Sequence, residues 1–512
     1  MKTITAFFLI TITILVTAVS ADAQQFTRGE MDRLSEVYLK DSIVEVREML
    51  AVPNIGSIPE HVNANIEWMD QAFSRRGFSI SLLETAGPPL LLAEKSVDTN
   101  LPTILFYMHA DGQPVDPSRW TQPDPFDPVL RQRTDAGEWE IIDWDYIEGE
   151  IDPDWRIFAR SASDDKGPIG MFLTAIDILN DQQIDPQFNV KVILDFEEEL
   201  GSPNLPDAVE VHRDALSADK MVILDGPRHP TNLPTLSFGA RGIQTMTIIV
   251  HGPKGSQHSG HYGNYIPNPA LRLAQILGSM KDEHGRVTIP GFYDGIELDD
   301  ETMEILHAVP DDEEGIKKML GVAGQDSVAT FLQAARQYPS LNIRGMASGW
   351  VGNDVRTIVP SEAIAEIDIR LVRETDPDRL IRLIKEHIEG MGYHILDGVP
   401  TDEERLAHER LVTVTDNFNY DAFRTDIDSP AGEWLTRAMN RAFEEEPVRI
   451  RTSGGSVPIS PFVTTLGVPA VSVPTVNNDN NQHSPDENLR IGNLQEGIKT
   501  VLSILTEPVE GM

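Results

Sequence analysis

The sequence predicts an α/β fold, a mainly parallel sheet with helices on both faces, plus an inserted α+β domain. Three observations predict it. Near-continuous apolar runs of strand length at residues 103–108, 190–194, 221–224 and 468–473 suit strands covered on both faces. The first three are linked by helical periodicity, giving the strand, polar tip, helix, strand order of a crossover sheet. From about Ser237 the pattern becomes an alternation: over residues 363–371, Ala363, Ala365, Ile367, Ile369 and Leu371 face one way, and Glu366, Asp368 and Arg370 the other. Such half-buried strands suit an antiparallel sheet with helices on one face.

Taken in order, residues 1–23 read as a secretory signal peptide: Lys2 is a short basic start, residues 6–19 are apolar, and Ala21 and Ala23 offer a cleavage point. The expectation is an exported protein, periplasmic or extracellular. The apolar run is too short, and wrongly flanked, for a stable membrane anchor. Residues 31–50 follow as an amphipathic helix ended at Val52-Pro53-Asn54, and residues 61–73 as a second, with Ile66, Met69 and Phe73 on one face. Strand 103–108 delivers His109-Ala110-Asp111-Gly112 at its end, and the Pro- and Asp-rich residues 114–128 form a loop. Residues 160–167 open a helix in which Ile169, Phe172, Leu173, Ile176 and Leu179 recur at helical spacing. The next strand ends in Glu197-Glu198-Glu199, and strand 221–224 ends in Asp225-Gly226.

In the inserted segment, residues 243–250 form a strand, residues 269–280 a helix with Ala270, Leu273, Leu277 and Met280 on one side, and residues 376–388 another helix. At Ser429-Pro430 an N-cap and a first-turn proline open a helix with Trp434, Leu435, Ala438, Met439 and Ala442 on its apolar face. Gly454-Gly455-Ser456 makes a turn, and strand 468–473 leads to an asparagine-rich tip that ends in His483-Ser484. The organisation is a signal at 1–23, a main domain in two parts at 24–236 and 427–512, and an inserted domain at 237–426.

Composition narrows the chemistry. With 81 acidic against 42 basic residues and a formal net charge of -39, binding to a phosphate backbone meets strong repulsion, so nucleic acid is not a partner. The chain has no cysteine, which removes thiol catalysis and thiolate metal sites and leaves histidine and carboxylate as ligands. Three adjacent glutamates at the end of a core strand repel one another and are costly to desolvate, and no Lys or Arg follows within several residues. A bound cation is the economical compensation.

Its other ligands lie at the same edge, where open α/β sheets keep their ligands. His109, Asp164, Glu198, Glu199, Asp225 and His483 all fall at strand or loop tips. Imidazole and carboxylate donors without thiolate suit zinc, with manganese or cobalt as alternatives, and one carboxylate can bridge two ions. A neighbouring glutamate left off the metal can serve as general base, and Asp111 can orient the His109 ring. A single histidine after a strand, or a single glutamate run, is usually structural or solvated. The joint occurrence at separate tips is what carries the argument.

The motifs His109 to Pro117, Arg160 to Gly167, Glu198-Glu199-Leu200-Gly201-Ser202, Gly239-Ala240-Arg241-Gly242, His258-Ser259-Gly260, Gly454-Gly455-Ser456 and His483-Ser484 occur in this order over nearly the whole mature chain. They resemble the co-catalytic zinc metallopeptidase family of aminoacylases, glutamate carboxypeptidases and carnosinase-type dipeptidases, and most of all its longer dipeptidase branch. The resemblance implies two divalent metal ions per chain, most simply zinc: His109 and Asp225 hold one, Glu199 and His483 the other, and Asp164 bridges them. It implies a cis peptide between Asp164 and Asp165, Glu198 as general base and Asp111 as the partner of His109. The inserted domain would be a lid and dimerisation domain whose His258 reaches the active site of the other subunit of a homodimer. Arg370, Gly455 and Ser456 would receive the substrate carboxylate. Where carnosinase-like members carry a histidine-containing segment, this chain has Tyr420 to Asp426, so carnosine itself is not implied.

The leading expectation is therefore a dinuclear zinc peptidase for dipeptides or short peptides. An N-acyl amino acid amidohydrolase or glutamate-type carboxypeptidase is the alternative. A non-catalytic exported binding protein on this scaffold has no use for Glu198, and a glycosidase with paired carboxylates leaves His109 and His483 unexplained.

Overall fold

Two-sided burial of the central strands organises the architecture. In the strand Thr103–His109 the side chains of Ile104, Phe106 and Met108 enter one apolar cluster while Leu105 and Tyr107 enter another, and all five are fully buried. The computed structural model describes residues 25–509, so the expected signal at residues 1–23 lies outside the described residues.

The main sheet has eight strands in the order Ser79–Leu83, Leu90–Lys95, Asn189–Asp195, Thr103–His109, Lys220–Ile223, Ala470–Ser472, Thr235–Ser237, Val448–Ile450. Its centre is parallel. Thr103–His109 pairs in parallel with Asn189–Asp195 and with Lys220–Ile223, which in turn pairs in parallel with Ala470–Ser472. Parallel pairing sends all four C-terminal ends to one edge, and the register sets His109 opposite Asp195. Helices Arg28–Leu50, Lys166–Gln182, Pro430–Ala442 and Ile491–Leu505 fill one face, and Leu205–Val211 and Ser460–Leu466 cover the other.

A second sheet of five strands runs Ser340–Ala347, Glu362–Leu371, Gly242–His251, Leu411–Tyr420, His394–Leu396 and is antiparallel except at its last pair. The residues of Glu362–Leu371 predicted to face inward, Ala363, Ala365, Ile367, Ile369 and Leu371, are all buried, against helices Pro269–Met280 and Pro377–Gly390. Among the described residues no helix is long and apolar enough to cross a membrane.

Two differences from the sequence reading have local causes. The first helix starts at Arg28 because Thr27 and Glu30 form a reciprocal capping box ahead of the apolar period. A four-stranded sheet, Asn488–Arg490, Arg156–Phe158, Val129–Arg133, Trp139–Ile142, was not legible because its strands are short and rich in arginine. Those arginines are covered by aromatic faces: Arg131 lies 4.3 Å over Phe158 and Arg133 4.3 Å over Trp139. The sheet ties the segment that leads into residues 160–167 to the segment that follows His483.

Phe172 on Lys166–Gln182 is fully buried and meets Phe73, Phe78 and Phe106 with ring centroids 5.1 to 6.4 Å apart. Phe172→Ala is expected to cost about 3–5 kcal/mol, read as a lower midpoint in denaturant unfolding; a change under 1 kcal/mol would show that this aromatic cluster is not the core of the main domain.

Candidate metal centre

The site is built from the ends of the parallel strands. His109 closes its strand. Asp164 sits on the turn before Lys166–Gln182, and its peptide bond to Asp165 is cis. Glu198 and Glu199 lie on a single 3-10 turn just past Asn189–Asp195. That turn closes at Gly201, whose φ of 84° favours glycine. Asp225 follows Lys220–Ile223, and His483 lies on the asparagine-rich tip beyond Ala470–Ser472. His483 itself has φ of 60° and Asn481 φ of 57°; asparagine tolerates that left-handed conformation better than most residues, and Gln482 N and Asn488 N donate to Asn480 at 2.8 Å each to hold the tip.

These side chains converge into two groups with one shared member. Ligand atoms of His109, Asp164 and Asp225 lie within 4.8 Å of one another, as do those of Asp164, Glu199 and His483. The two oxygens of Asp164 face different groups: Oδ1 is 2.9 Å from His109 Nε2, and Oδ2 is 3.0 Å from His483 Nε2. His483 Nε2 is also 3.2 Å from Glu199 Oε2. Donors around a tetrahedral ion with bonds of about 2.0 Å are separated by about 3.3 Å, so the residues present fit a pair of cations bridged by Asp164.

Ring orientation supports the same fit. Asp111 accepts from His109 Nδ1 at 3.3 Å and from the backbone N–H groups of Glu198 and Glu199 at 3.1 Å each. A carboxylate can only accept, so the Nδ1 proton is fixed and Nε2 is left free to bind a metal. Asp111 thereby joins two strand ends through one buried side chain.

Sequence reasoning missed a second crosslink of this kind. Glu487, fully buried, accepts from Arg160 Nη1 at 2.7 Å and from the N–H groups of Ser161, Ser163 and Asp164 at 3.0 Å each. Its pairing with Arg160 spans most of the chain, and the only local signal is its position four residues after His483. Two amides were also missed: Gln113 Nε2 donates to Glu199 Oε2 at 2.7 Å and Gln482 Nε2 to Asp164 Oδ2 at 3.3 Å.

Electrostatics mark the centre as unfavourable without compensation. Burial raises Glu198 well above the usual carboxylate range, and burial with the nearby Asp164 charge raises Glu199 to about 7 and Asp225 to about 6. Asp164 is buried too, yet His109 and His483 hold it well below that range. The hydrogen bond to Asp164 lifts His483 to about 9.

Asp164, Glu198, Asp225 and His483 line a cavity of about 540 Å³ that also takes in Gly455 and Ser456, a volume suited to a small ligand. Its far wall is the helix Glu313–Leu320, in the acidic insert of residues 282–337, presenting Ile316, Met319 and Leu320. Arg370 stands behind the turn, donating to Ser456 Oγ at 2.6 Å. His258 is not in this group: it is exposed, accepts from Gly260 N at 3.0 Å and packs on His261. A slightly larger cleft of about 620 Å³ near His251 and Arg405 holds none of the convergent carboxylates, so size alone does not locate the site.

The family model described as peptidase family M20/M25/M40 matches residues 105–507. A Cys-Gly metallodipeptidase of Schizosaccharomyces pombe is 26% identical over 432 residues, covering 82% of this chain and 83% of its own. The Beta-Ala-His dipeptidase of Homo sapiens is 26% identical over 426 residues, covering 82% and 77%. Among solved structures, an M20 family metallo-carboxypeptidase from Sulfolobus solfataricus superposes with a TM-score of 0.75 at 29% identity, covering 91% of this chain and 99% of that one. Human carnosine dipeptidase 1 shares the fold, with a TM-score of 0.72 at 23% identity, covering 94% and 98%. The expectation of export is corrected: it does not follow from the Cys-Gly metallodipeptidases and the Beta-Ala-His dipeptidase that align with most of the chain, and residues 1–23, on which it rested, lie outside the described residues.

Removing and restoring divalent cations tests the fit. Zinc at a hundredfold excess over its Kd is expected to stabilise chelator-treated protein by about 2.7 kcal/mol per site, seen as a rise in Tm. Asp164→Ala abolishes the rise and Asp225→Ala leaves part of it; an undiminished rise in Asp164→Ala would contradict the shared-ligand geometry. Binding needs His483 neutral and Glu199 and Asp225 as carboxylates, so protons compete and the rise shrinks as pH falls through about 9, then about 7 and then about 6.

Proposed function

Because the chain belongs to peptidase family M20/M25/M40 and is a metal-dependent peptidase, we propose that it is a dinuclear dipeptidase acting on dipeptides or short peptides. The observation that carries this reading is Asp164, whose two oxygens face separate donor groups inside a cavity shared with Glu198.

His109 and Asp225 would hold one divalent ion, Glu199 and His483 the other, and Asp164 both, with zinc the best match to the donor set. Bound there, the ions would supply Lewis acidity toward a water and the scissile carbonyl. Glu198 is the general base. Its carboxyl lines the cavity, and burial raises its proton affinity, which suits a group that takes a proton from water and returns it to the leaving amine. Asp111 acts through others, holding the His109 ring and the amides of Glu198 and Glu199. Arg370 and the hydroxyl of Ser456, on the turn with Gly455, receive the terminal carboxylate of the substrate, a planar fork meeting a planar anion.

Residues 237–426 are proposed as the lid and dimerisation domain, and residues 24–236 with 427–512 as the catalytic domain. The five-stranded sheet, whose strands all lie between Gly242 and Tyr420, supports this division. So does the exposure of His258, which suits a residue that completes the cavity of the other subunit in a homodimer. The likeness to the Sulfolobus metallo-carboxypeptidase favours, as a second reading, removal of C-terminal residues from longer peptides. N-acyl amino acids belong in the same substrate panel.

Glu198→Gln is expected to keep its full complement of metal while kcat on dipeptides falls about 10²–10⁴-fold, measured by elemental analysis beside a peptidase assay. Full turnover in that variant would remove Glu198 as the base.

A further inference from the structure

In a chain of net charge -39, cationic groups cluster at the turn that edges the cavity. The guanidinium groups of Arg241, Arg336 and Arg370 gather around Gly454-Gly455-Ser456. Arg370 donates to Ser456 Oγ at 2.6 Å and lies 3.9 Å from Asp368. Arg241 donates from Nη2 to Tyr338 O at 2.7 Å and through its backbone N–H to Gly455 O at 3.3 Å, while its Nε is buried without a partner among the described residues. Arg336 differs from both. It is half-buried and lines the same cavity as Asp164, Glu198 and Gly455. Among the described residues its guanidinium makes no hydrogen bond and has no carboxylate within 4 Å.

Local geometry keeps that group open. It lies against Gly454, where a Cβ would stand 3.2 Å from Arg336 Nε; glycine leaves the fork room to face the cavity. The carboxylate that attracts it is Asp311, already engaged by His229 Nε2 at 3.1 Å and Gln333 Nε2 at 2.8 Å. Near it stands the like charge of Arg241, which burial together with Arg370 and Arg336 pulls down to about 10. A partly desolvated cation beside like charges is costly unless an anion joins it.

We propose that Arg336 receives the side-chain carboxylate of an acidic residue on the C-terminal side of the scissile bond, so that the enzyme prefers dipeptides ending in Glu or Asp. This rests on the dipeptidase reading with Arg370 and Ser456 on the terminal carboxylate. The two guanidiniums flank one turn, as the two carboxylates of a C-terminal glutamate flank one Cα.

The test measures kcat/KM of the full-length, zinc-loaded protein for Ala-Glu, its near-isostere Ala-Gln, and Ala-Lys. Wild type is expected to favour Ala-Glu over Ala-Gln by at least about tenfold, and Arg336→Gln to bring that ratio near one. Arg336→Glu is expected to raise the Ala-Lys to Ala-Glu ratio above wild type, a gain that misfolding does not produce. Equal wild-type rates on Ala-Glu and Ala-Gln, or an equal loss on all three substrates in both variants, would overturn the assignment while leaving the dipeptidase reading intact. No cleavage of any of the three by wild type would overturn the dipeptidase reading and this inference with it.

Discussion

Negative charge that cannot remain buried uncompensated is the condition on which the rest of the structure depends. The parallel sheet sends four strand ends to one edge, and two of them, with the turn at Asp164, deliver carboxylates to a largely buried place. Protonation or cations can relieve such a cluster. The two imidazoles that join it, and the way Asp164 splits its oxygens between them, favour cations.

The same condition explains why two further buried carboxylates stand just outside the ligand groups. Asp111 and Glu487 each accept several N–H donors from the loops that carry the ligands. Asp111 joins the His109 and Glu199 strand ends, and Glu487 joins the Asp164 turn to the tip that carries His483. Removing either carboxylate would leave buried backbone donors unpaired at about 1–3 kcal/mol apiece, so these groups serve the fold and the geometry of the centre at once. The short arginine-rich sheet acts on the same tip from outside, holding Arg156–Phe158 against Asn488–Arg490.

What was legible in the sequence is what local pattern encodes. Strands covered on both faces appear as apolar runs, and the inserted sheet as an alternation whose inward residues are all buried. A donor at or just past the end of a strand, as His109 and Asp225 are, is placed by that strand alone. What escaped depends on contacts remote in sequence. Glu487 is defined by a partner 327 positions away. Arg336 is distinguished only by the partners it lacks and by Gly454 beside it. The acidic insert at 282–337 suggests by sequence either a reshaped pocket or a subunit contact, and that the apolar side of Glu313–Leu320 walls the cavity was not legible because a short amphipathic helix reads the same wherever it packs.

The most direct test of the account is anomalous diffraction at the zinc absorption edge from crystals of the zinc-loaded protein. Two peaks about 3.5–4 Å apart, one between His109 and Asp225 and the other between Glu199 and His483, with Asp164 touching both, are the predicted result. A single peak, or two that do not share Asp164, would contradict it.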